Sequence, residues 1–534
     1  MKINEPMYLV YAAEMQQMDR LTIEAFGIPG RVLMENAGRG ATEILLRKKP
    51  DIYNKSIGII AGRGNNGGDG FVMARYLVQK GIKVAVYLLA DRKRVAGDAA
   101  ANLRLLEPLE VPMIELTDRE KFFKYIELML NHDIWIDAIL GTGLKSDVKG
   151  FFREIIEFIN SSKKYIFSVD IPSGLNSDTG LPCGIAASAN ATATFAFAKT
   201  GQILYPGAEY TGDLEIVDIG IPPHIADEVG PRQYLITADM VRSHIRPRKQ
   251  DAHKGDTGHL LVIAASTGKT GAATMAAGSA IRAGAGLVTL GIPASLNPVL
   301  ETQLIEAMTF PLPEKAAGIL GGDAFIKIMA LMADKQCLAT GPGLGTDPDT
   351  IELICRIIQA CEIPIVIDAD GLNSLVGRTD ILNKLKAPAV LTPHPGEMAR
   401  LANITTREVQ SNRISCAREF ALKFNVHLVL KGTRTVIAHP DGSIYINPTG
   451  NPGMASGGMG DVLTGIIAGL ITQGLPIKKA AQAGVFLHGA AADHLVEKIG
   501  PTGFLATEVM DEIPQQIKRV MSEYRRCSFN NIVA

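Results

Sequence analysis

The sequence predicts an α/β protein with more than one domain. Its 534 residues are too many for a single hydrophobic core. Short apolar segments alternate with helical segments in two separate series, which favours parallel sheets covered by helices on both faces. Glycine is abundant (54 residues) and aromatic residues make up only 6% of the chain, which suits tightly wound α/β enzymes with many strand–helix turns.

The first series of elements fills the N-terminal half. It contains predicted strands over 56–61, 83–89, 134–140, 166–171, 192–198 and 214–219. A helix is predicted over 70–79, after the glycine-rich sequence that follows the first strand. Because apolar strands recur with helices between them, we expect one parallel sheet here.

A segment rich in proline and charge, between about Ile221 and Lys254, interrupts this pattern. We place the domain boundary within 222–236, which gives domains of 1–225 and 236–525. The second series then comprises strands over 259–265, 286–291, 337–339, 363–367, 389–391 and 426–430, with a helix over 272–282. Several of these strands end in glycine or polar residues. Ligands bind at the carboxyl ends of parallel strands, so this series outlines one pocket.

Charge and cysteine usage narrow the class of protein. The net charge is −1, so no basic surplus indicates a nucleic-acid partner. The six cysteines lack CxxC spacing, which is typical of reduced cytosolic thiols rather than of a disulfide framework or a zinc site. The N-terminus lacks the apolar core of a signal peptide, and the apolar run near 466–471 is too short to span a membrane. We therefore expect a cytoplasmic protein without a membrane partner.

The most informative stretch is NPGMASGGMGDVLTG, residues 451–465. Four glycines and Asp461 precede an apolar helix predicted to begin near Val462. Bare amides and a helix start can hold a transferring phosphoryl group, and Asp461 could accept a hydroxyl proton beside it. The alternative is that the glycines form only a tight connection.

The sequence GRGNNG, residues 62–67, matches the dinucleotide fingerprint GxGxxG. A single match is weak evidence, and Asp69 inside the predicted loop would repel a pyrophosphate. Asn65, Asn66 and Asp69 look more like amide and carboxylate oxygens for a monovalent cation or ribose hydroxyls. A nicotinamide-dependent dehydrogenase and a plain structural turn remain the alternatives.

Two further acids end strands of the first series. Asp137 precedes the sequence GTGL, and Asp170 precedes Pro172, Ser173 and Gly174. Each could merely cap a turn, but two acids at parallel strand ends favour a shared site. Lys199 also ends a strand; such a lysine is usually solvated, and we leave it outside the catalytic set.

The second series carries three polar motifs. STGKT, residues 266–270, is not a P-loop, because Ile263 stands where the motif needs glycine. His394, in the sequence TPHPGE, falls on the presumed pocket rim, where a ligand contact competes with a structural role. KGTRT, residues 431–435, offers a lysine, an arginine and hydroxyls for nucleotide phosphates or ribose, or else forms an ordinary hairpin turn.

The motifs LMENAG (33–38), GRGNNGGDG (62–70), DAILGTGL (137–144) and SVDIPSGL (168–175) together resemble one family, the YjeF N-terminal domain or NAD(P)H-hydrate epimerase. The similarity covers roughly 8–225, in family order. It implies a Rossmann-like three-layer αβα fold, a substrate of hydrated NADH or NADPH, and bound potassium. The resemblance assigns potassium to Asn66, Asp137 and Ser173. It assigns the hydrate to Asn65, Asn66, Gly67, Gly68, Asp69, Gly141, Thr142, Gly143, Leu144, Lys145, Ser146, Asp147 and Asp170. Asp170 is our candidate acid/base.

The motifs GPGLG (341–345), DADGLN (368–373), TPHPGE, KGTRT and GGMGD resemble the ADP-dependent NAD(P)H-hydrate dehydratase family, over about 240–520. That resemblance implies a ribokinase-like αβα fold and magnesium accompanying ADP. It implies that Ala273 (or its neighbour Ala272), Gly343, His394 and the catalytic Asp461 face the hydrate. It also implies that Lys431, Gly432, Thr433, Arg434, Thr435 and Gly460 hold the adenine nucleotide.

Together the two resemblances predict a bifunctional repair enzyme, which we expect to form a homo-oligomer. The first domain would interconvert the R and S hydrates, NADHX or NADPHX, and the second would dehydrate the S form with ADP, giving AMP and phosphate. The alternative is a vitamin or sugar kinase of the ribokinase-like class with a non-catalytic N-terminal binding domain.

Overall fold

A computed structural model describes residues 7–245 and 247–522. The strands of its first half are β1 (Met7–Val10), β2 (Ser56–Ala61), β3 (Lys83–Leu88), β4 (Met113–Glu115), β5 (Ile134–Ala138), β6 (Tyr165–Val169), β7 (Ala191–Phe195), β8 (Ala198–Lys199) and β9 (Asp213–Val217). The α-helices there are α1 (Ala12–Arg20), α2 (Gly30–Lys48), α3 (Asn65–Gln79), α4 (Gly97–Arg104), α5 (Arg119–Leu130), α6 (Gly150–Ser161), α7 (Thr200–Ile203), α8 (Gly207–Thr211) and α9 (Pro223–Val229).

The second half continues this alternation. Its strands are β10 (Gln233–Leu235), β11 (His259–Ile263), β12 (Leu287–Pro293), β13 (Met308–Leu312), β14 (Glu314–Ala316), β15 (Ile319–Leu320), β16 (Cys337–Thr340), β17 (Ile365–Ile367), β18 (Ala389–Leu391), β19 (His427–Leu430), β20 (Val436–Ala438) and β21 (Ile444–Ile446). Its α-helices are α10 (Ala238–His244), α11 (Thr270–Ala283), α12 (Asn297–Gln303), α13 (Phe325–Met332), α14 (Pro348–Ala360), α15 (Ala369–Ser374), α16 (Pro395–Ala402), α17 (Thr406–Ser411), α18 (Arg413–Phe424), α19 (Met459–Thr472), α20 (Ile477–Lys498) and α21 (Ala506–Ser522).

The chain divides into two compact units, and the division falls between Gln233 and Tyr234. In the first unit a parallel sheet has the strand order β4-β3-β2-β5-β6-β7-β9. From β2 the chain adds β3 and β4 on one side of β2, and it then returns to add β5, β6, β7 and β9 on the other side. The direction in which strands are added therefore reverses between β2 and β5, and open α/β sheets bind ligands at such a position.

Alternate residues of these strands pack against opposite layers of helices. Ile57 and Ile59 of β2 join one core with side chains of α2, α3 and α4. Ile60 joins a second core with side chains of α5 and α6. Because side chains alternate along a strand, both faces of this sheet are covered and the predicted three-layer arrangement is confirmed.

In the second unit the sheet contains the run β13-β12-β11-β16-β17-β18-β19-β20-β21. Neighbouring strands from β13 to β19 are parallel, and β20 and β21 are added antiparallel. Here the order reverses between β11 and β16. The turns after β11, β16, β17, β18 and β19 therefore meet at one edge. The largest core of the unit packs this sheet against α11, α19, α20 and α21.

Two predicted helix starts were wrong. Helix α3 begins at Asn65 rather than at Gly70, and α19 begins at Met459 rather than near Val462. In the first case the glycines are helical and serve close packing: a β-carbon on Gly67 would lie 1.9 Å from the Gly62 carbonyl oxygen. In the second case only Gly458, with φ +90°, takes the left-handed conformation that caps the helix.

The segment 222–236, where we placed the domain boundary, contains helix α9 and strand β10. Pro222 and Pro223 start that helix, and Gly230 (φ +63°) ends it. The prolines that interrupt the strand–helix pattern thus mark the beginning of a short helix.

Residues 7–245 and 247–522 contain no helix that is long and apolar enough to cross a membrane. Of the six cysteines, five are described, and all five carry free thiols: Cys183, Cys337, Cys355, Cys361 and Cys416. Cys527 lies outside the described residues.

Candidate active sites

The first unit holds a cavity of about 700 Å³ at the carboxyl ends of β2 and β5, where the strand order reverses. Among the predicted site residues, those that line it are Asn65, Asn66, Asp69, Gly141, Thr142, Gly143, Leu144 and Asp170. Gly67 and Gly68 instead pack against the Gly62 backbone and the Met34 side chain. Lys145, Ser146 and Asp147 are exposed and lie outside the cavity lining.

The three residues assigned to potassium converge beneath this cavity. Ser173 donates to the fully buried carboxylate of Asp137 through its amide (2.8 Å) and its hydroxyl (2.5 Å). Asn66 donates through Nδ2 to the Leu140 carbonyl at 3.0 Å, and Ser173 Oγ lies 3.3 Å from the same oxygen. Asn66 Oδ1 is buried and has no hydrogen-bond partner among the described residues. This unpaired amide oxygen lies close to carboxylate, hydroxyl and carbonyl oxygens. Together these oxygens are ligands that fit a cation.

Asp170 is held in an unusual conformation directly after β6. Its φ is +63°, in the left-handed region that residues other than glycine rarely adopt. Its Oδ1 accepts a hydrogen bond from Lys199 Nζ at 2.5 Å. Lys199 is only 1% exposed, so the expectation that it is solvated was wrong. Left-handed backbone at such a position is common where a site constrains the chain.

Two other carboxyl groups line the same cavity. Burial, followed by repulsion from Asp170 and Asp19, raises the pKa of Asp69 well above its usual value, and Lys199 offsets this only partly. Burial raises the pKa of Asp19 to about 6. Attraction by Lys199 opposes this shift, and repulsion by Asp170 adds to it. Burial and the two neighbouring acids therefore favour the protonated form of Asp69 relative to an exposed aspartate.

In the second unit, a buried ion pair lies at the carboxyl ends of β17 and β19. Asp368 is 1% exposed; its Oδ1 accepts from Lys431 Nζ at 2.7 Å and its Oδ2 from Thr464 Oγ1 at 2.8 Å. Gly460 adjoins this pair, since a β-carbon there would lie 3.2 Å from Lys431 Nζ. Burial disfavours the Lys431 charge, but attraction by Asp368 and Glu397 outweighs it and raises the pKa of Lys431.

Asp461 lies in the first turn of α19, three residues after its left-handed cap Gly458. It is partly exposed and, within the described chain, its carboxylate accepts no hydrogen bond. Burial and repulsion from Asp368 raise the pKa of Asp461 to about 7, although Lys431 attracts the ionised form. A carboxyl with a pKa near neutrality can exchange a proton in either direction at physiological pH.

His394 caps the N-terminus of α16 through its imidazole. Nδ1 accepts from the amides of Gly396 (3.0 Å) and Glu397 (3.3 Å), so the neutral ring carries its proton on Nε2. Burial lowers the pKa of His394, with the positive charges of Lys431 and Arg400 adding to the effect against the attraction of Glu397. Half of the side chain is exposed, and Nε2 lies 3.5 Å from Glu397 Oε1.

The predicted nucleotide segment 431–435 is the turn between the antiparallel strands β19 and β20. Gly432 and Thr433 are exposed, and Thr435 Oγ1 donates to the Gly432 carbonyl at 3.0 Å. The Arg434 guanidinium donates to the Pro448 carbonyl, which ties the turn to the chain leading into the glycine-rich stretch. Because Lys431, the first residue of this turn, adjoins Gly460, the turn lies beside the start of α19.

Gly343 lies against the start of α11. Gly343 has φ +66°, and a β-carbon there would lie 3.2 Å from Ala272 Cβ and 2.7 Å from the Lys269 carbonyl. Ala273 is fully buried in the apolar core, whereas Ala272 is partly exposed. The contact of Ala273, or of its neighbour Ala272, with a ligand stays a prediction.

Sequence reasoning gave no role to four charged residues that the structure brings to these sites: Asp19, Lys199, Asp368 and Glu397. Asp368 follows β17 just as Asp137 and Asp170 end strands of the first series, so the strand-end argument could have found it. Lys199 carried the same strand-end signal but was expected to be solvated, whereas Asp19 lies within α1 and carried no such signal.

Two protein-family models match the chain. One is described as the YjeF-related protein N-terminus and matches residues 30–201; the other is described as NAD(P)H-hydrate dehydratase and matches residues 260–515. A solved structure of the ADP/ATP-dependent NAD(P)H-hydrate dehydratase from Bacillus subtilis, co-crystallised with ATP and Mg²⁺, is 33% identical. It covers 54% of this chain and 98% of its own, with a TM-score of 0.48.

Relatives match almost the whole chain. The bifunctional NAD(P)H-hydrate repair enzyme of Moorella thermoacetica is 43% identical, over 97% of this chain and 98% of its own length. The enzyme of the same name from Thermofilum pendens is 36% identical over the same shares. That from Escherichia coli is 33% identical, over 96% of this chain and 94% of its own. Similarity of this extent spans both units and both candidate sites, and the chain therefore belongs to the family of bifunctional NAD(P)H-hydrate repair enzymes.

Proposed function

We propose that this chain repairs hydrated NADH and NADPH through two activities, one in each unit. The unit 8–233 epimerises the R and S hydrates, and the unit 234–522 dehydrates the S form with ADP. The single observation that carries the second assignment is Asp461: an unpaired carboxyl with a pKa of about 7 in the first turn of α19, beside Lys431. The membership of the chain in the repair-enzyme family supports both assignments.

The dehydration has a chemical difficulty that this arrangement addresses. Hydroxide is a poor leaving group, so the ring hydroxyl must first be converted into an ester. Asp461 accepts the hydroxyl proton while the oxygen bonds to the terminal phosphorus of ADP, and the bond to the bridging oxygen breaks to release AMP. Lys431 and the amides at the start of α19 stabilise charge on the transferring group.

The phosphate ester then eliminates. The ring nitrogen lone pair forms a C=N bond, and inorganic phosphate leaves with the electrons of the C–O bond. Loss of a proton from the adjacent ring carbon regenerates NAD(P)H. Ala273 (or its neighbour Ala272), Gly343 and His394 are proposed to contact the hydrate, and the turn 431–435 with Gly460 is proposed to contact the nucleotide.

Two metal ions complete the proposal. Potassium fits Asn66, Asp137 and Ser173, because Asn66 Oδ1 is buried and unpaired among the described residues. When bound, it would supply a fixed positive charge under the cavity. We also propose that magnesium binds with the phosphates of ADP.

The decisive assay is incubation with hydrated NADH and either ADP or ATP. Repair restores absorbance at 340 nm and yields AMP and phosphate from ADP. A kinase with a non-catalytic N-terminal domain would instead accumulate a phosphorylated product without that absorbance. Assembly as a homo-oligomer and a cytoplasmic location stay predictions from the sequence.

A further inference from the structure

Lys199 has an environment that matches a positioning role. An ammonium group has three N–H donors and no acceptor. The three acceptors around Nζ are Asp170 Oδ1 (2.5 Å), Thr194 Oγ1 (2.9 Å) and the Phe195 carbonyl (3.1 Å). All three donors are therefore used inside the protein, and none is left for a substrate in the cavity.

These contacts give the two carboxylate oxygens of Asp170 different environments. Oδ1 accepts from Lys199 Nζ and lies within 3.4 Å of Thr194 Oγ1 and 3.3 Å of the Phe195 amide. Oδ2 accepts no hydrogen bond from the described residues, and Asp170 lines the cavity with 16% of its side chain exposed. Gln202 Nε2 also donates to the Asp170 carbonyl at 2.7 Å, which fixes the left-handed backbone. One oxygen is thus anchored, while the other has no hydrogen-bond partner among the described residues.

The remaining charged groups around the cavity are acidic except for one. Asp19, Asp69 and Asp98 come from three different helices, and Arg63 lies in the turn after β2. Asp69 is 7% exposed, and its carboxyl has no hydrogen-bond partner among the described residues. Lys199 is therefore the cation in direct contact with Asp170, and the nearby acids oppose the Asp170 charge.

We propose that Lys199 is a positioning residue for epimerisation: it anchors Oδ1 of Asp170, so that Oδ2 is directed at the substrate and acts as base while Asp69 acts as acid. This inference rests on the proposed epimerase activity of the first unit. It assigns a role to a lysine that touches no reacting atom.

The step balances without any further reactant. Asp170 Oδ2 takes the hydroxyl proton, the C–O bond becomes a carbonyl, and the bond from that carbon to the ring nitrogen breaks. The nitrogen receives this electron pair and the proton of Asp69. After the aldehyde carbon rotates, the nitrogen attacks its opposite face, returns its proton to Asp69, and the oxygen regains the proton held by Asp170.

The test measures epimerisation of the R hydrate by the full chain, before and after Lys199→Met. We expect kcat to fall about 100-fold with KM changed less than about threefold, because Lys199 does not contact the substrate. Lys199→Arg, which keeps a cationic donor beside Asp170 Oδ1, should recover much of the lost kcat. An equal loss of kcat in both variants, or a loss that appears mainly in KM, would mean that Lys199 is merely structural and would overturn the proposal.

A double variant distinguishes a loss of positioning from misfolding of Lys199→Met. Lys199→Met in an Asp170→Asn background leaves no unpaired buried charge, and it should run no slower than Asp170→Asn alone. A further large loss would also overturn the inference. Lys121→Met, on the exposed face of α5, is the control and should match the wild type. If the wild-type chain itself does not accelerate epimerisation, the proposed function fails, which is a different result from a failed Lys199 test.

Discussion

At the scale of single residues, both sites place carboxyl groups in unlike environments. Asp368 is paired by Lys431 and Thr464, whereas Asp461 lacks a described partner and has a pKa of about 7. Asp170 is paired by Lys199, whereas burial raises the pKa of Asp69. Separating the proton affinities of neighbouring acids is how enzymes obtain an acid and a base at one pH.

The first prediction concerns Asp461. Asp461→Asn should lower the ADP-dependent dehydration rate by about 100-fold or more, because the amide cannot accept the hydroxyl proton. The wild-type kcat/KM should rise as pH increases through about 7, since only the ionised carboxylate is a base. Both effects are measured from absorbance at 340 nm. Asp511→Asn, which removes an exposed partner of Arg282, is the control and should leave the rate unchanged.

The second prediction concerns the position of that pH limb. Lys431 attracts the ionised form of Asp461 and so lowers its pKa. Lys431→Met removes this attraction, and the rising limb should therefore move to higher pH, in addition to any loss of nucleotide binding. Lys431→Arg keeps the charge and should leave the limb close to the wild-type position. If the rise of kcat/KM with pH occurs at the same pH in Lys431→Met as in the wild type, a group other than Asp461 controls this rise.

Asp461 could be predicted from the sequence because glycine-rich amides, an acid and a helix start are adjacent in the chain. Lys199 could not, because its burial depends on Asp170 and Thr194, which reach it only through the order of the strands. The sequence also leaves open whether Ala272 or Ala273 contacts a ligand, because neighbouring helical residues face about 100° apart. The structure places Ala272 against Gly343 and buries Ala273 in the core.

At the scale of elements, the position of Asp461 depends on how closely α19 approaches α11. Gly465 and Gly469 make this approach possible. A β-carbon on Gly465 would lie 2.0 Å from both the Ala276 carbonyl oxygen and Ser279 Oγ, and one on Gly469 would lie 2.7 Å from the Ala280 carbonyl oxygen. The alternating strands were predictable from apolar periodicity, but this contact depends on glycines that the sequence alone cannot pair with a partner helix.

The third prediction tests this contact. Gly465→Ala should destabilise the second unit by about 1–3 kcal/mol, because the added methyl group forces the two helices apart. Gly271→Ala is the matched control on α11, where a β-carbon would meet no atom within 4 Å. That change should stabilise the helix by up to about 1 kcal/mol. Urea unfolding midpoints measure both, and equal effects of the two substitutions would contradict the packing argument.

At the scale of the whole molecule, each unit carries its own candidate site. The acids and the lysine of the first cavity all come from residues 8–233, and the Asp461 cluster comes entirely from residues 234–522. Each reaction can therefore be removed by a substitution in its own unit. The two activities are linked through the substrate, because dehydration consumes one epimer and epimerisation replenishes it.

The fourth prediction follows from this separation and uses a mixture of R and S hydrates with excess ADP. Wild-type chain should restore absorbance at 340 nm in full and in one phase. Asp170→Asn should consume the S fraction at the normal rate and the R fraction only as fast as it inverts spontaneously, which gives a second, slow phase. Asp461→Asn should restore almost no absorbance while still equilibrating purified R hydrate with S, as followed by chromatography. Mixing the two variants should recover the single phase, because the intermediate epimer can diffuse from one molecule to another; a slow phase that persists in the mixture would contradict the assignment of one reaction to each unit.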